Sequence, residues 1–306
     1  MDGIGKKIIL MNNINLVTGG AGFIGSHLID RLLSMEEKVI CLDDLSSGSF
    51  ENLKNSFNNK NFQFHKYDIT KPFDFKVNRI WHLASLASPK AYIKSSIKTI
   101  NTCYLGSLNA LDLARKCDAS ILLASSSEVY GNPMVHPQTE DYFGNVNNFG
   151  ERACYAEGKR ISETLFYEYR KKYNINIKIS RIFNTYGPRL NLYDGRVIPR
   201  FIRKIYNNKP VTIYGSGNQT RSFCYVHELI DALLLQMKIN FQDPINLGNP
   251  QEISIKDLAQ DISMLMEKDI SFKFLKEKGD DPLVRKPSIE LAKRILNWQP
   301  VINLKE

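Results

Sequence analysis

The sequence predicts an α/β fold in which a doubly wound parallel sheet is followed by a smaller C-terminal region. Short apolar runs alternate with amphipathic helical patterns from Asn15 to about Phe183. Strands that alternate with crossover helices form a parallel sheet with right-handed connections. In addition, a glycine-rich turn follows the first apolar run and opens the first helical pattern. Sheets of this class that bind a dinucleotide carry such a turn.

The first part of the chain is expected to contain six strands and three long helices. Each strand is a short apolar run, and each helix has apolar residues on one face at helical spacing. The expected strands are Asn15–Thr18, Val39–Leu42, Phe62–His65, Arg79–Leu83, Ser120–Ser125 and Ile177–Ile182, and the expected helices are Phe23–Met35, Ile97–Lys116 and Cys154–Tyr173.

The pattern changes after Asn184, where turn signals and shorter elements follow. Val226–Lys238 reads as a long apolar helix and Pro244–Leu247 as a short strand, and both are expected to return to the first domain. Another strand is expected near Ser271–Leu275. The predicted boundaries are 1–183 and 222–250 for the first domain, and 184–221 and 251–306 for the second.

The composition indicates a globular chain. Of the 306 residues, 43% are hydrophobic and 24% are charged, which excludes a disordered or fibrous state. No window approaches the roughly 18 uninterrupted apolar residues of a membrane span. Met1–Asn13 shows no signal-peptide cleavage pattern. We therefore expect a cytoplasmic protein without a membrane segment.

The charges and the cysteines exclude two further classes. The net charge of +9 comes from dispersed lysines and arginines, without a basic run or patch typical of nucleic-acid binding. Nucleic acid is therefore not an expected partner, whereas a basic cleft for an anionic small molecule is. The cysteines are scattered without metal-ligand spacing, so we expect reduced thiols and no metal site. They are Cys41, Cys103, Cys117, Cys154 and Cys224.

The glycine-rich turn is a candidate dinucleotide site. Gly19, Gly22 and Gly25 would let the backbone approach a pyrophosphate at the helix N-terminus. The first step is one residue longer than in Gly-x-Gly-x-x-Gly, so a plain tight turn is the alternative reading of the glycines alone. Asp43 ends the second strand, where a carboxylate accepts ribose hydroxyls and repels a 2′-phosphate, which favours NAD over NADP. Asp68 ends the third strand and is expected near the adenine.

A second constellation suits the oxidation of a secondary alcohol. Tyr155 lies four residues before Lys159, and Ser126 lies in a serine-rich strand end. A phenol has a pKa of about 10, too high for a base at neutral pH. Lys159 and a positively charged nicotinamide would favour the phenolate, so that Tyr155 could accept a proton while Ser126 positions the same oxygen. Without Tyr155, Ser126 would read as a serine that caps the next turn.

Longer motifs extend over nearly the whole chain. They are Val17-Thr18-Gly19-Gly20, His82-Leu83-Ala84-Ser85, Ser127-Glu128, Arg152-Ala153-Cys154-Tyr155, Arg181-Ile182-Phe183-Asn184-Thr185-Tyr186-Gly187-Pro188-Arg189, Tyr214-Gly215-Ser216-Gly217 and Arg285-Lys286-Pro287. On these motifs the chain resembles the extended short-chain dehydrogenases/reductases of the NAD-dependent epimerase/dehydratase superfamily. The resemblance implies a Rossmann-like fold with a smaller C-terminal substrate-binding domain. Within the superfamily, the chain is similar to the UDP-glucuronate decarboxylases (UDP-xylose synthases).

The resemblance implies NAD-dependent decarboxylation of UDP-glucuronate to UDP-xylose. Oxidation at C4 places a ketone β to the carboxylate on C5, carbon dioxide leaves, and the ketone is reduced again. Ser127-Glu128 argues against 4,6-dehydratases, which carry Asp-Glu here, and Glu128 together with Arg285 argues against simple 4-epimerases. A UDP-glucuronate 4-epimerase and a decarboxylase that releases UDP-4-ketopentose stay open as alternatives. A non-catalytic scaffold would have lost some catalytic residues, and none is lost.

Residue roles are implied by matching positions. The expected catalytic residues are Tyr155, Lys159, Ser126, Glu128 and Arg285. The expected NAD-binding residues are Gly19, Gly22, Phe23, Ile24, Gly25, Asp43, Asp44, Ser47, Gly48, Asp68, Ile69, Leu83, Ala84, Ser85, Thr102, Tyr155, Lys159, Thr185 and Arg196. The expected substrate-binding residues are Ser126, Glu128, Asn184, Arg189, Tyr214, Arg221 and Arg285.

Three positions depart from the family pattern. Leu86 replaces a proline, Cys103 replaces an asparagine whose polar contact is therefore in doubt, and Ser126 replaces a threonine but keeps the hydroxyl. The helices Ile97–Lys116 and Cys154–Tyr173 resemble the pair through which this superfamily dimerises. A homodimer that binds a UDP-sugar is therefore expected.

Overall fold

The computed structural model describes residues 13–276 and 284–306. Of the segment Met1–Asn13, all residues before Asn13 lie outside the described residues.

The strands of the described residues, in chain order, are β1 (Ile14–Thr18), β2 (Lys38–Asp43), β3 (Phe62–Lys66), β4 (Arg79–His82), β5 (Ser120–Ser126), β6 (Ile177–Ile182), β7 (Thr185–Tyr186), β8 (Val211–Tyr214), β9 (Thr220–Ser222), β10 (Cys224–Tyr225), β11 (Ile245–Leu247), β12 (Glu252–Ser254) and β13 (Phe272–Leu275).

Several helices begin or end at residues with a known capping preference. Ser88 caps α2 through its side chain, and Pro89 occupies the first helical position, where its missing N–H costs nothing. Asp118 and Asn174 adopt the left-handed conformation that ends α3 and α4. The helices are α1 (Phe23–Ser34), α2 (Pro89–Lys94), α3 (Ser96–Cys117), α4 (Ala153–Tyr173), α5 (Val197–Tyr206), α6 (Val226–Lys238), α7 (Ile255–Leu265) and α8 (Glu290–Leu296).

One parallel sheet organises the molecule. Its seven strands lie in the order β11-β6-β5-β4-β1-β2-β3, and every neighbouring pair is parallel. Strands are added outward in both directions from β1, so the order reverses between β1 and β4. In open sheets of this kind, ligands bind outside the carboxyl ends of the strands at that reversal.

The predicted fold class is confirmed. The predicted strands and long helices all form, with ends that differ by at most one residue. Pro244–Leu247 was expected to return to the first domain, and β11 pairs with β6 at the edge of the main sheet. The short helix α2 was not predicted, because its single turn and a half is too short to show a helical period. The exact domain boundaries stay a prediction.

Apolar side chains cover both faces of the main sheet. One cluster lies beneath α1 and α6, and a second lies beneath α3 and α4. A third, separate cluster is formed by α5, α7 and β8, with members such as Phe201, Val211 and Leu258. Around it β13 pairs in parallel with β8, and β12 pairs with β9 in antiparallel fashion. These C-terminal elements form one wall of a large cleft, opposite the main sheet.

Phe166→Ala should destabilise the protein by about 3–5 kcal/mol, because a fully buried aromatic side chain leaves a cavity. Phe166 is on α4 and lies in the cluster between that helix and the sheet. The free energy of unfolding, measured by chemical denaturation, reports the loss. Phe143→Ala is the matched control, since Phe143 is 90% exposed. Equal losses in the two variants would contradict this packing.

Candidate active site

A large cleft lies between the carboxyl ends of the main sheet and the C-terminal elements. Its volume is about 1690 Å³, which exceeds the roughly 300–1,000 Å³ of a pocket for one small ligand. The wall includes the turn after β1, the ends of β2, β4 and β5, the start of α4, and Arg285. The cleft therefore has room for a dinucleotide and a second ligand side by side.

The glycine-rich turn is packed too closely for larger residues. A β-carbon on Gly19, whose φ is +72°, would lie 2.6 Å from the Ala84 Cα. A β-carbon on Gly25 would collide with the Gly19 carbonyl oxygen. Gly22 precedes α1, whose N-terminus has neither a side-chain cap nor an acidic residue in its first turn. Backbone N–H groups at such an end suit an anionic group, so the turn fits the pyrophosphate of NAD.

Asp43 ties the glycine-rich turn to the end of β2. Its Oδ2 accepts a hydrogen bond from the Ala21 backbone N–H at 2.9 Å, and its Oδ1 accepts one from the Leu45 N–H at 2.8 Å. Burial raises the pKa of Asp43, and both hydrogen bonds oppose that rise. Each carboxylate oxygen can accept a second hydrogen bond. Asp43 can therefore hold the turn and still accept ribose hydroxyls.

Two further acids flank this end of the cleft. Asp44 forms an ion pair with Lys98 at 2.6 Å. Asp68 accepts hydrogen bonds from the backbone and the hydroxyl of Thr70, at 3.0 and 2.9 Å. Both carboxylates thus help to shape loops after β2 and β3, and both remain in the wall of the cleft.

The residues predicted to transfer a proton lie together at the end of β5 and the start of α4. Tyr155 is buried and stacks on Tyr92, with ring centroids 5.1 Å apart and planes at 4°. The Ser126 side chain accepts a hydrogen bond from the Glu128 N–H at 3.2 Å and lies near enough to Tyr155 to influence its pKa. Lys159 lies one helical turn further along α4, and its Nζ donates to the Ala124 carbonyl oxygen at 2.8 Å. The phenol, the hydroxyl and the ammonium group expected from the sequence therefore share one site.

Burial governs the pKa of Tyr155 in the protein alone. It raises the pKa of Tyr155 above its ordinary value, and the nearby Ser126 hydroxyl only partly opposes this. Burial also lowers the pKa of Lys159, whose Nζ lies 5.9 Å from the centre of the Tyr155 ring and donates to a backbone carbonyl. The protein alone therefore favours the neutral phenol, and the expected effect of Lys159 together with a positively charged nicotinamide stays a prediction.

Glu128 is held between two arginines from distant parts of the chain. It lies in the 3-10 helix Ser127–Tyr130, directly after β5. Arg152, at the start of α4, lies 2.9 Å from both Glu128 carboxylate oxygens. Arg285 donates to Glu128 and also to the Gly131 carbonyl oxygen, the latter at 2.9 Å. Burial alone would raise the pKa of Glu128, but the two guanidinium groups lower it to about 2.

Two arginines expected to bind phosphate or NAD are paired with acids in this structure. Arg189 forms an ion pair with Asp30 of α1 at 2.6 Å. Arg196 forms one with Asp194 at 3.3 Å. An anionic ligand would therefore compete with these carboxylates for the guanidinium groups.

The remaining substrate-binding candidates lie on the C-terminal wall. The Asn184 side chain donates to the Ser222 carbonyl oxygen at 3.3 Å. The Arg221 guanidinium donates at 2.8 Å to the carbonyl of the residue before it. The Tyr214 ring lies 5.5 Å from the Arg200 guanidinium. These groups face the cleft opposite the glycine-rich turn.

Among the described residues, the cleft wall contains every predicted site residue except Gly48. Gly48 packs behind the wall instead, where a β-carbon would lie 2.9 Å from the Ala21 carbonyl carbon. The predicted ligand contacts of all these residues stay predictions. Sequence reasoning gave no site role to many other wall residues. Four of them have side chains that pack against or pair with a predicted site residue, and of these four only Arg152 stood inside a motif that could have revealed it. They are Tyr92, Lys98, Arg152 and Arg200.

The described ranges contain neither a membrane-spanning helix nor a candidate metal cluster. Within residues 13–276 and 284–306, no helix combines the length and the apolar character needed to cross a membrane. The same ranges contain no group of three or more His, Cys, Asp or Glu residues that could hold a metal ion. The five cysteines are all free thiols.

Residues 15–248 match the NAD dependent epimerase/dehydratase family. The chain belongs to this family. Membership confirms the superfamily resemblance and the prediction of NAD as the cofactor. The family match spans the main sheet, the glycine-rich turn and the Tyr155–Lys159 pair, which are the features that form the cofactor side of the cleft.

Relatives within the family are named decarboxylases. The chain is 47% identical over 302 residues to UDP-glucuronic acid decarboxylase 6 of Arabidopsis thaliana, covering 98% of this chain and 88% of that protein. It is 46% identical over 291 residues to UDP-glucuronic acid decarboxylase 1 of Xenopus tropicalis, covering 95% of this chain and 69% of that protein. These relatives confirm the narrower resemblance predicted from the motifs.

Solved structures of epimerases have the same fold. The UDP-glucuronic acid 4-epimerase of Bacillus cereus, solved with UDP-glucuronic acid and NAD, aligns with a TM-score of 0.87 at 26% identity. The UDP-glucose 4-epimerase of Thermotoga maritima, solved with UDP-glucose, gives the same two values. Each alignment covers 95% of both chains. The fold is therefore common, over nearly its whole length, to this chain and to these epimerases.

Glu128 should make a pH-dependent contribution to stability that Glu128→Gln removes. Its pKa is about 2 in the folded protein against an ordinary value of 4.5. A lowered folded-state pKa gives a contribution that is complete above the unfolded value and is lost as pH falls through the folded one. The difference in free energy of unfolding between wild type and Glu128→Gln should therefore be constant above about pH 5 and should change from about pH 4.5 to pH 2.

Denaturant titrations at several pH values measure this difference. Glu51→Gln is the control, because the Glu51 side chain is largely exposed and its ion pair with Lys54 lies on the surface. A wild-type minus Glu128→Gln difference as flat as that of the control would mean that the arginines do not hold Glu128 ionised.

Proposed function

We propose that this chain decarboxylates UDP-glucuronate to UDP-xylose, with NAD regenerated in each turnover. The observation that carries this function is the clamp of Arg152 and Arg285 on Glu128, beside Tyr155 in one cleft. The two guanidinium groups and one carboxylate leave a net positive charge where a uronic acid carboxylate would need to bind. The decarboxylase relatives at 46–47% identity support the same substrate.

NAD fits the cofactor side of the cleft. The glycine-rich turn with the uncapped start of α1 accommodates a pyrophosphate, and Asp43 accepts ribose hydroxyls. When bound, NAD supplies the acceptor for the C4 hydride and the donor for its later return. The B. cereus 4-epimerase of the same fold was solved with this cofactor and with UDP-glucuronic acid.

Tyr155 acts as the base and then the acid at the 4-hydroxyl of the sugar. We assign Ser126, which ends β5 near Tyr155, to hold the same substrate oxygen. Because burial keeps the phenol neutral in the protein alone, ionisation depends on positive charge that arrives with the cofactor. Lys159 is then placed to contact the nicotinamide ribose from α4, while its bond to Ala124 fixes its position.

Arg285 and Glu128 act at the next step. Once C4 is a ketone, the bond between C5 and the carboxyl carbon breaks, carbon dioxide leaves, and the electron pair forms an enolate with its charge on the C4 oxygen. C5 must then take up a proton before the hydride returns to C4. We assign Arg285 to the substrate carboxylate and to the delivery of this proton, directly or through water. Glu128, ionised between its two arginines, orients that region and cannot itself act as the proton donor near neutral pH.

The wild-type chain, incubated with NAD and UDP-glucuronate labelled in the carboxyl group, should release labelled carbon dioxide and form UDP-xylose without lasting NADH. Arg285→Ala and Glu128→Ala should each lower carbon dioxide release by about 100-fold or more, since buried groups at the reacting centre are lost. The affinity for NAD, measured by calorimetry, should change by less than about threefold, because neither side chain is in the glycine-rich turn.

The product separates the related activities. Conversion to the C4 epimer with the label retained would indicate a UDP-glucuronate 4-epimerase, and carbon dioxide with an equal amount of NADH would indicate release of UDP-4-ketopentose. Binding of UDP-glucuronate with the label untouched would overturn decarboxylation. Equal losses of NAD affinity and decarboxylation in the two variants would show that the assigned roles are wrong.

We also propose that the protein is a cytoplasmic homodimer. The free cysteines are in keeping with a reducing compartment. Apolar side chains remain exposed on α3 and α4 although the two helices pack together, and exposed apolar patches mark association sites. Those side chains are Ile97, Ile100, Tyr104, Ile161 and Tyr167.

Tyr104→Asp should convert the dimer into a monomer, because a charge would be buried in the helix pair of each protomer. Light scattering after size-exclusion chromatography measures the mass. Tyr206→Asp is the control, since Tyr206 is also exposed but lies at the end of α5. A monomeric wild type, or equal dissociation of both variants, would exclude this interface.

A further inference from the structure

The segment that carries Arg285 is held in place by Gln138, a residue outside the cleft wall. The Gln138 N–H donates to the Lys286 carbonyl oxygen at 2.9 Å, and the Ser288 N–H donates to the Gln138 carbonyl oxygen at 2.7 Å. These bonds form an isolated parallel bridge between Gln138 and Pro287. Two stretches of chain about 150 residues apart are thus joined immediately next to Arg285.

The Gln138 side chain reinforces the same junction. Its Oε1 accepts a hydrogen bond from the Lys286 N–H at 2.9 Å, and its Nε2 donates to the Val135 carbonyl oxygen at 2.7 Å. Gln138 is fully buried and its two side-chain bonds are partly buried, so the loss of either bond leaves a backbone group short of a partner. The Gln138 side chain therefore links the segment of Val135 to the segment of Lys286, and it is not part of the cleft wall.

The junction also connects Arg285 with its partner Glu128. Asn246, from β11, donates to the Gln138 carbonyl oxygen at 3.1 Å and to the Ser288 carbonyl oxygen at 3.3 Å. The Tyr130 hydroxyl donates to Asn246 at 2.7 Å, and Tyr130 lies in the 3-10 helix that contains Glu128. One buried hydrogen-bonded network thus fixes the backbones on which both members of the ion pair are carried.

We propose that Gln138 is a positioning residue for Arg285 and that it acts on the decarboxylation and reprotonation at C5, not on the oxidation at C4. The inference rests on the proposed function of Arg285. The oxidation at C4 uses Tyr155 and Ser126, which are carried by α4 and β5, whereas the hydrogen bonds of Gln138 itself go to the segments of Val135 and Lys286 and to Asn246. A displacement of Arg285 therefore affects one chemical step and leaves the other intact.

Gln138→Met tests this role, because methionine fills a similar volume and removes both side-chain hydrogen bonds. In single turnover with NAD and carboxyl-labelled UDP-glucuronate, NADH should form at a rate within about threefold of wild type. The release of carbon dioxide should fall by about 10- to 100-fold, since a displacement of about 1 Å can cost that much. NADH and a 4-keto uronic acid should accumulate.

Gln236→Met is the matched control. Gln236 is equally buried, and its side chain also makes two hydrogen bonds, from Ser180 at 2.6 Å and to Ile179 at 3.0 Å. Those bonds join α6 to β6, not to the Arg285 segment. The control should lose thermal stability to a similar extent, while NADH formation and carbon dioxide release keep their wild-type ratio. The same imbalance in both variants would show a general effect of destabilisation and would overturn the proposal.

One further variant separates the possible outcomes. If Gln138→Met does not fold, Gln138→Asn withdraws the amide by one methylene and should give the same imbalance. A parallel fall of NADH formation and carbon dioxide release, or no change in either, overturns the role of Gln138. A wild type that releases no carbon dioxide overturns the proposed function instead.

Discussion

The ion pairs of Glu128 with Arg152 and Arg285 are the interaction on which the substrate side of the cleft depends. They join the 3-10 helix after β5, the start of α4 and the C-terminal segment around Arg285. A carboxylate in this buried position would be costly alone, and two guanidinium groups more than offset the loss of hydration, as the low pKa of Glu128 shows. Glu128 and its two arginines can therefore come together only when these three separate parts of the fold are in their native positions.

The other half of the site is governed by desolvation. Tyr155 and Lys159 lie on the buried face of α4, and burial raises the pKa of Tyr155 and lowers that of Lys159, so that it favours the neutral form of each. A phenolate at Tyr155 would therefore need additional positive charge, such as that of a bound NAD. The stack of Tyr92 on Tyr155 adds a rigid backing to the ring that must meet the substrate.

The two halves are built on different kinds of support. The cofactor side rests on consecutive elements of the parallel sheet, where the glycine-rich turn, Asp43 and Leu83 lie at strand ends. The substrate side rests on hydrogen bonds between segments far apart in the chain, with Gln138 and Asn246 at their centre. The two supports thus come from different parts of the chain.

Local sequence determined the sheet, the long helices and the glycine-rich turn, because apolar periodicity and turn residues act over short distances. It also identified Tyr155 and Lys159, since one helix turn fixes their relation. The tertiary structure alone decided what depends on contacts between distant segments. The stacking of Tyr92, the placement of Arg152 and Arg285 around Glu128, and the raised pKa of Tyr155 all arise from residues that folding brings together. No sequence spacing encodes them, because burial and charge at a site are set by everything that packs around it.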